Sequence, residues 1–302
     1  MMTINKILYP TDFSDHSHRA LRHALFLARQ YKATLHILHA VVLHGEDPYN
    51  PELHFPALDE VEKELEKKAS ERMLHMIQNS SVKDVSIVRA QERGVSPAPV
   101  ILEYAVKNDI DLVVIGTHGR RGLRHLLMGS VAEEVVRMAP CPVMTVRHNG
   151  HVSETVKMDT IVVPVDFSEH SLKALSRAKE MAAVYDSRLQ VLYVFDFPNY
   201  PAFYQSVENI VFDSIKRIEN KSIDELKKFY AGAEGSDVKA EFHVLDGRAS
   251  HEIVEFASKQ HADLIVMATH GLTGLQHLLI GSVAEKVVRS AECPVLTIKS
   301  FR

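Results

Sequence analysis

Cysteine is scarce in this chain. Cys141 and Cys293 are the two present in 302 residues, too few to staple that length through disulfides. Each is followed by proline and an apolar run, so a packed small residue is the expected role. A basic surplus is also missing. Lys plus Arg number 35 against 39 Asp plus Glu, a formal net charge of −4, whereas a polyanion binder carries excess basic charge. Nucleic acid is therefore not an expected partner. No apolar run approaches the ~18 residues of a membrane span, and the opening residues lack the ~7–15 apolar residues of a secretory leader. A cytoplasmic protein without a membrane partner is expected. The signature G-x-x-x-x-G-K-[ST] is absent, and G-x-G-x-x-G follows neither candidate first strand. A P-loop enzyme and a dinucleotide dehydrogenase are both disfavoured. The remaining composition, 46% hydrophobic and 25% charged, is that of a folded globular chain.

What the chain does have is a second copy of itself. Residues 116–146 and 268–298 are identical at 21 of 31 positions. The opening Ile7-Leu8-Tyr9-Pro10-Thr11-Asp12-Phe13-Ser14 pairs with Ile161-Val162-Val163-Pro164-Val165-Asp166-Phe167-Ser168, an offset of 154 that becomes 152 near the end. This period is too long for a solenoid and matches the ~150 residues of an ordinary domain. Two domains follow, 1–148 and 157–302, joined by a polar stretch at 147–157.

Within each copy, β-rich runs alternate with helical patterns. Strands are expected at 6–9, 34–41, 85–90, 112–116 and 143–147, and at 160–163, 188–195, 239–245, 264–268 and 295–299. Runs such as LVVIG and LIVMA are apolar at every position, as in parallel strands covered on both faces. Leu21, Ala24, Leu25 and Ala28 share a helical face, as do Leu172, Leu175, Ala178 and Ala182. Ser14 and Ser168 stand where an N-cap belongs. Residues 58–77 are charged with a sparse apolar stripe, suiting an outer helix. The fold class is α/β: two doubly wound domains, each with five parallel strands.

Ligands of such sheets bind beyond the carboxyl ends of the strands, where strand order switches. Three stretches converge there: the turn Pro10-Thr11-Asp12 or Pro164-Val165-Asp166, the end of strand 2 near Ala40, Val41 and Val194, and the glycine-rich stretch after strand 4. In the first copy that stretch holds Gly116, Gly119, Gly129 and Ser130, the last opening a helix. Ser130 with Glu133, and Ser282 with Glu285, have the spacing of a capping box. A helix start offers unpaired N–H groups and a positive dipole end, and glycine permits close approach. Such a stretch suits phosphate, and Arg120, Arg121 and Arg124 add donors. Glycines that merely turn a loop are the plain alternative.

The spacing G-x2-G-x9-G-[ST] after strand 4, with an aspartate after strand 1, resembles the universal stress protein family. Cys141-Pro142-Val143 and Cys293-Pro294-Val295 are similar to that family's entry into strand 5. The resemblance covers nearly the whole chain, as a tandem pair. It implies strand order 3-2-1-4-5 with helices on both faces, and binding of ATP, ADP or AMP, with Mg²⁺ riding on the phosphates. By position, Asp12 would meet ribose or adenine, and backbone at Ala40 and Val41 the adenine edge. Gly116, His118, Gly119, Arg120, Gly129, Ser130 and Val131 would hold ribose and phosphates. In the second copy Asp166, Val194, Gly271, Gly281, Ser282 and Val283 correspond. There Ala268 replaces the first glycine, its methyl crowding a ribose, and Leu272 and Thr273 replace Arg120 and Arg121. The family often pairs domains through strand 5, which implies an intrachain pseudo-dimer here, with a homodimer as a further option.

Eighteen histidines invite a search for metal or catalysis. His36 and His39 alternate on a strand and face apart; His16 and His18 diverge on a helix. Neither Cys-x2-Cys nor His-Glu-x-x-His occurs, so no protein-built metal site is expected. His118 and His270 are read as loop residues hydrogen-bonded to backbone, with a phosphate contact as the functional alternative. His16 and His170 are read as surface residues near the site mouth. No nucleophile–base pair stands out. The leading function is an adenine-nucleotide-binding stress or regulatory protein with an unknown protein partner. A slow ATP hydrolase and a nucleotide-free interaction scaffold are the alternatives.

Overall fold

The runs LVVIG and LIVMA become strands with neighbours on both sides, and their first four residues are almost fully buried. They are β4 (Leu112–Gly116) and β9 (Leu264–Ala268) of a computed structural model. The model describes residues 4–42, 58–78, 84–117, 128–147, 156–196, 208–271 and 280–299. It divides into two units, Thr3–Val156 and Lys157–Arg302.

The first unit runs β1 (Lys6–Pro10), α1 (Asp15–Tyr31), β2 (Thr34–Val42), α2 (Leu58–Gln78), β3 (Ile87–Gly94), α3 (Pro97–Lys107), β4, α4 (Ser130–Met138) and β5 (Val143–Val146). Its strands are parallel in the order β3-β2-β1-β4-β5. The second repeats this with β6 (Thr160–Val165), α5 (Glu169–Tyr185), β7 (Arg188–Phe195), α6 (Glu208–Gly232), β8 (Ala240–Asp246), α7 (Ala249–Lys259), β9, α8 (Ser282–Ser290) and β10 (Val295–Ile298). The order is β8-β7-β6-β9-β10, again parallel. The switch in direction falls between β1 and β4, and between β6 and β9, which opens a crevice above those strand ends.

Small residues let α1 lie close to the sheet. Ala20, Leu21, Ala24, Leu27 and Ala28 are buried against it, and each leucine so buried contributes roughly 1.5–3 kcal/mol. In α5 the stripe differs from expectation: Leu172 is half-buried, while Lys179 is 3% exposed. The lysine is tolerated because its ammonium donates to the carbonyls of Tyr230 at 3.3 Å and Ala233 at 3.1 Å, at the end of α6. It also lies 4.3 Å from the centre of the Tyr230 ring.

Several strand boundaries move. β1 continues through Pro10, paired with Leu38, and β6 through Pro164 to Val165. Parallel strands send alternate residues to alternate neighbours. The N–H of Thr11 donates to Leu38 on the β2 side, so Pro10 faces β4, where the pairing has already ended at Leu8. The missing donor costs nothing there. β3 runs on to Gly94 rather than stopping at Ala90, because β2 continues beside it to Val42.

Candidate functional site

The turn after each first strand is built by its own aspartate. Ser14 donates to Asp12 Oδ1 through its backbone N–H at 3.0 Å and its hydroxyl at 2.6 Å. In the second unit Ser168 does the same to Asp166 Oδ1, at 3.1 and 2.6 Å. The intervening Phe13 and Phe167 both sit at φ 62, a left-handed conformation that costs a bulky residue roughly 1–2 kcal/mol. The carboxylate bonds and ring contacts offset that cost. Phe13 packs 4.6 Å from His39, and Phe167 packs 4.8 Å from Tyr193 and 5.4 Å from Phe229. Ser14 and Ser168 then cap α1 and α5, accepting from the N–H of Ser17 at 3.3 Å and of Ser171 at 3.1 Å. The expected N-caps are in place.

The helices after the fourth strands start differently. The caps are Gly129 and Gly281, not Ser130 and Ser282, and no side chain closes either start. The anticipated capping boxes do not form, because Ser130 and Ser282 already stand inside the first turn, with exposed side chains. The carbonyls of Gly129 and Gly281 take the first helical bonds, from Glu133 and Glu285 at 3.0 Å. The amides of Ser130, Val131 and Ala132, and of Ser282, Val283 and Ala284, are the helix-start donors left without carbonyls of their own helix. Each start is pinned to the sheet. Gly129 donates to the Thr117 carbonyl at 2.7 Å and Gly281 to the Thr269 carbonyl at 2.6 Å. Thr117 and Thr269 are buried and in turn donate to Val146 and Ile298. This neck, closed in each unit by one threonine carbonyl, has its trace in the sequence in the Thr-His-Gly step repeated in both copies.

The aspartate turn and the glycine stretch meet. A β-carbon on Gly271 would lie 2.3 Å from Asp166 Oδ2, a distance no side chain tolerates, so residues 105 positions apart share one junction. A β-carbon on Gly281 would lie 3.1 Å from the Thr269 carbonyl and 3.9 Å from His270 Cα. At Gly116 the corresponding carbon would meet the His16 carbonyl at 3.1 Å, in α1. Ala268 takes the equivalent place at the end of β9 and is half-buried.

The other sequence candidates fall as follows. Pro10, Thr11, Val41, Pro164 and Val165 are buried, while Asp12, Asp166, Ala40 and Val194 are half-buried. Ala40 pairs with Glu92, Val41 with Arg93, and Val194 with Leu245. Val131 is half-buried and Val283 is exposed. His118, Gly119, Arg120, Arg121, Arg124, His125, Leu272, Thr273 and His277 lie outside the described residues. His170 keeps part of its surface in solvent. It is half-buried, its ring 6.1 Å from that of His270, whose Nδ1 pairs with the Thr269 hydroxyl at 3.0 Å. His36 and His39 face apart as expected: His36 Nδ1 pairs with the Tyr104 hydroxyl at 2.9 Å and His39 Nδ1 with the Thr11 carbonyl at 2.8 Å. Cys141 is buried, and burial pushes the Cys293 thiol up to about 12, far from the reactive thiolate range. Among the described residues no group of three or more His, Cys, Asp or Glu is arranged to hold a metal ion, and no helix is long and apolar enough to cross a membrane.

The model of the universal stress protein family matches residues 3–147 and, a second time, 157–299. The chain belongs to the universal stress protein family. Several relatives are matched over about one unit. A universal stress protein of Methanocaldococcus jannaschii is 40% identical over 142 residues, 46% of this chain and 81% of that protein. Universal stress protein YxiE of Bacillus subtilis is 35% identical over 150 residues, 47% of this chain and 99% of its own. A crystal structure of a universal stress protein from Archaeoglobus fulgidus aligns over 98% of both chains with a TM-score of 0.68 and 19% identity, so the tandem fold as a whole recurs in that structure.

Proposed function

We propose that each unit, residues 1–148 and 157–302, binds one adenine nucleotide, with ATP foremost, and that the nucleotide serves as a regulatory ligand that stabilises one conformation. The observation that carries this reading is the contrast between helix starts in one crevice. Serines close α1 and α5, whereas α4 and α8 begin with glycine caps and no side-chain acceptor. A phosphate is the natural acceptor for such amides. The β-carbon that Gly271 lacks would clash with Asp166, so the glycine stretch is cut to lie on the aspartate turn. In this reading Asp12 and Asp166 meet the ribose or base, the backbone at Ala40, Val41 and Val194 meets the base edge, and Ser130, Val131, Ser282 and Val283 meet phosphates. Mg²⁺ would ride on those phosphates.

The test is a thermal melt titrated with ATP. A ligand that binds only the folded state adds ~2.7 kcal/mol of stability at 100 times its Kd. The melting temperature therefore rises with ATP and saturates. An unchanged melting temperature at millimolar ATP overturns the reading.

A further inference from the structure

The serine two residues after each turn aspartate faces two ways. Ser168, 7% exposed, accepts from the N–H of Ser171 in α5 at 3.1 Å and donates its own hydroxyl proton to Asp166 Oδ1 at 2.6 Å. Its backbone N–H reaches the same oxygen at 3.1 Å. Ser14 repeats the arrangement on Asp12 Oδ1, at 2.6 Å from its hydroxyl and 3.0 Å from its N–H, while accepting from the N–H of Ser17 at 3.3 Å. A helix-start amide that takes a lone pair of the hydroxyl leaves the hydroxyl proton for the carboxylate. The 2.6 Å length is that of a charge-assisted O–H···O⁻ bond. Ser171 Oγ, a second oxygen near the Ser168 hydroxyl, is farther away at 3.3 Å.

The result is a carboxylate with two unlike oxygens. Oδ1 takes both donors of the serine, inside the turn. Oδ2 is the oxygen turned to the glycine stretch: a β-carbon on Gly271 would lie 2.3 Å from it and 3.4 Å from Asp166 Cγ. An ionised carboxylate oxygen only accepts. Placed there, it receives a hydroxyl or amino hydrogen and repels phosphate, which keeps the sugar and base of a nucleotide at this end and its phosphates at the other. The last torsion of an aspartate is broad and roughly two-fold, so the side chain does not choose this orientation unaided. The serine chooses it. An asparagine at the same place would lay its carbonyl on the two donors of Ser168 and turn its NH₂ toward Gly271, a donor where the carboxylate has an acceptor.

Resting on the nucleotide reading above, we propose that Ser14 and Ser168 are positioning residues of the two sites: each fixes the carboxylate of the aspartate two residues before it, so that Oδ2 is the oxygen presented to the ligand. Capping α1 and α5 is a second duty of the same hydroxyls. Glycine separates the two duties, because an N-cap tolerates glycine well while glycine has no hydroxyl to hold a carboxylate.

The experiment is isothermal titration of the intact chain with ATP, with a thermal melt of each variant beside it. S14G/S168G is expected to melt close to wild type and to bind ATP about tenfold more weakly at both sites, the value of one charge-assisted bond. S14T/S168T keeps the hydroxyls and is expected to bind as wild type does. The same glycine pair is then placed in D12N/D166N. There it costs no further affinity, because the acceptor that the serines orient is already gone. A role confined to the fold would instead cost the same factor in both backgrounds, since independent effects add. Wild-type affinity in S14G/S168G, or the same factor lost in both backgrounds, overturns the proposal and leaves nucleotide binding standing. No ATP bound by the wild-type chain overturns both.

Discussion

The turn after the first strand follows one path in the two units and rests on different foundations. Beneath Asp12, the Tyr9 hydroxyl meets the Ser17 carbonyl at 2.9 Å, Ser17 Oγ at 3.0 Å and Thr11 Oγ1 at 3.2 Å, while Thr11 and Ser17 join at 3.0 Å. Thr11 Oγ1 also accepts from the N–H of Phe13 at 3.0 Å. Burial drives the Tyr9 phenol up to about 12, so it remains a neutral donor. Beneath Asp166 the positions of Tyr9 and Thr11 are Val163 and Val165, both buried, and Ser171 keeps its bonds to Ser168. The aromatic wall differs as well: Arg72 stands 5.8 Å over Phe13, whereas Phe229 packs on Phe167. The Asp-x-Ser hydroxyl bond nevertheless has the same length, 2.6 Å, in both units. The turn is therefore specified locally, and its support is free to be polar or apolar. The polar support is the vulnerable one, because a buried network missing one member leaves the others unsatisfied.

The largest test of this comparison is Gly271→Val. The side chain has no space beside Asp166 Oδ2, so ATP affinity of the second unit should fall on the order of a hundredfold, with the first unit unaffected. Titration that still finds two ATP per chain would separate Gly271 from the site.

The next is acid sensitivity. Desolvation, with Arg19 and Arg22 nearby, holds His23 down at about 4, and desolvation also lowers His36. Their counterparts in the second unit are Arg177 and Gln190, and its own lowered histidine, His243, is partly relieved by Glu241. A histidine whose folded pKa is depressed takes up its proton in the unfolded state first. Its contribution is intact above the unfolded value near 6.5 and is lost as pH falls toward 4. The first unit should lose on the order of 2 kcal/mol through His23, a half-buried residue. Hydrogen exchange corrected for intrinsic rates should rise first in the first unit, and His23→Gln should flatten that rise. Equal loss in both units would erase the distinction.

The smallest effect comes from Tyr9→Phe, which removes one member of the hydroxyl knot. A cost of about 1–2 kcal/mol in urea unfolding is expected. A cost near zero would mean that the polar support, like the valines of the second unit, is only packing.

Much of this architecture was legible in the sequence. Apolar runs such as LVVIG marked strands buried on both faces, the duplicated motifs marked two units, and Ser14 and Ser168 announced the caps of α1 and α5. The boundaries that slipped, at Pro10, Pro164 and Ala90, depended on a neighbouring strand, which a local pattern does not report. Ser130 looked like a cap because the capping-box spacing is local; the tie from Gly129 to Thr117 moved the helix start by one residue. Lys179 occupies an apolar stripe because carbonyls from the end of α6, 51 and 54 residues away, receive it.

The sequence by itself determined the number of units, the order of their elements and the residue types available at each strand end, since these follow from periodicity and repetition along the chain. Only the tertiary structure decided that Gly271 lies on Asp166, that His170 faces His270, and that α4 and α8 start without a side-chain cap. Those facts belong to distances between residues far apart in the chain, and packing alone sets such distances.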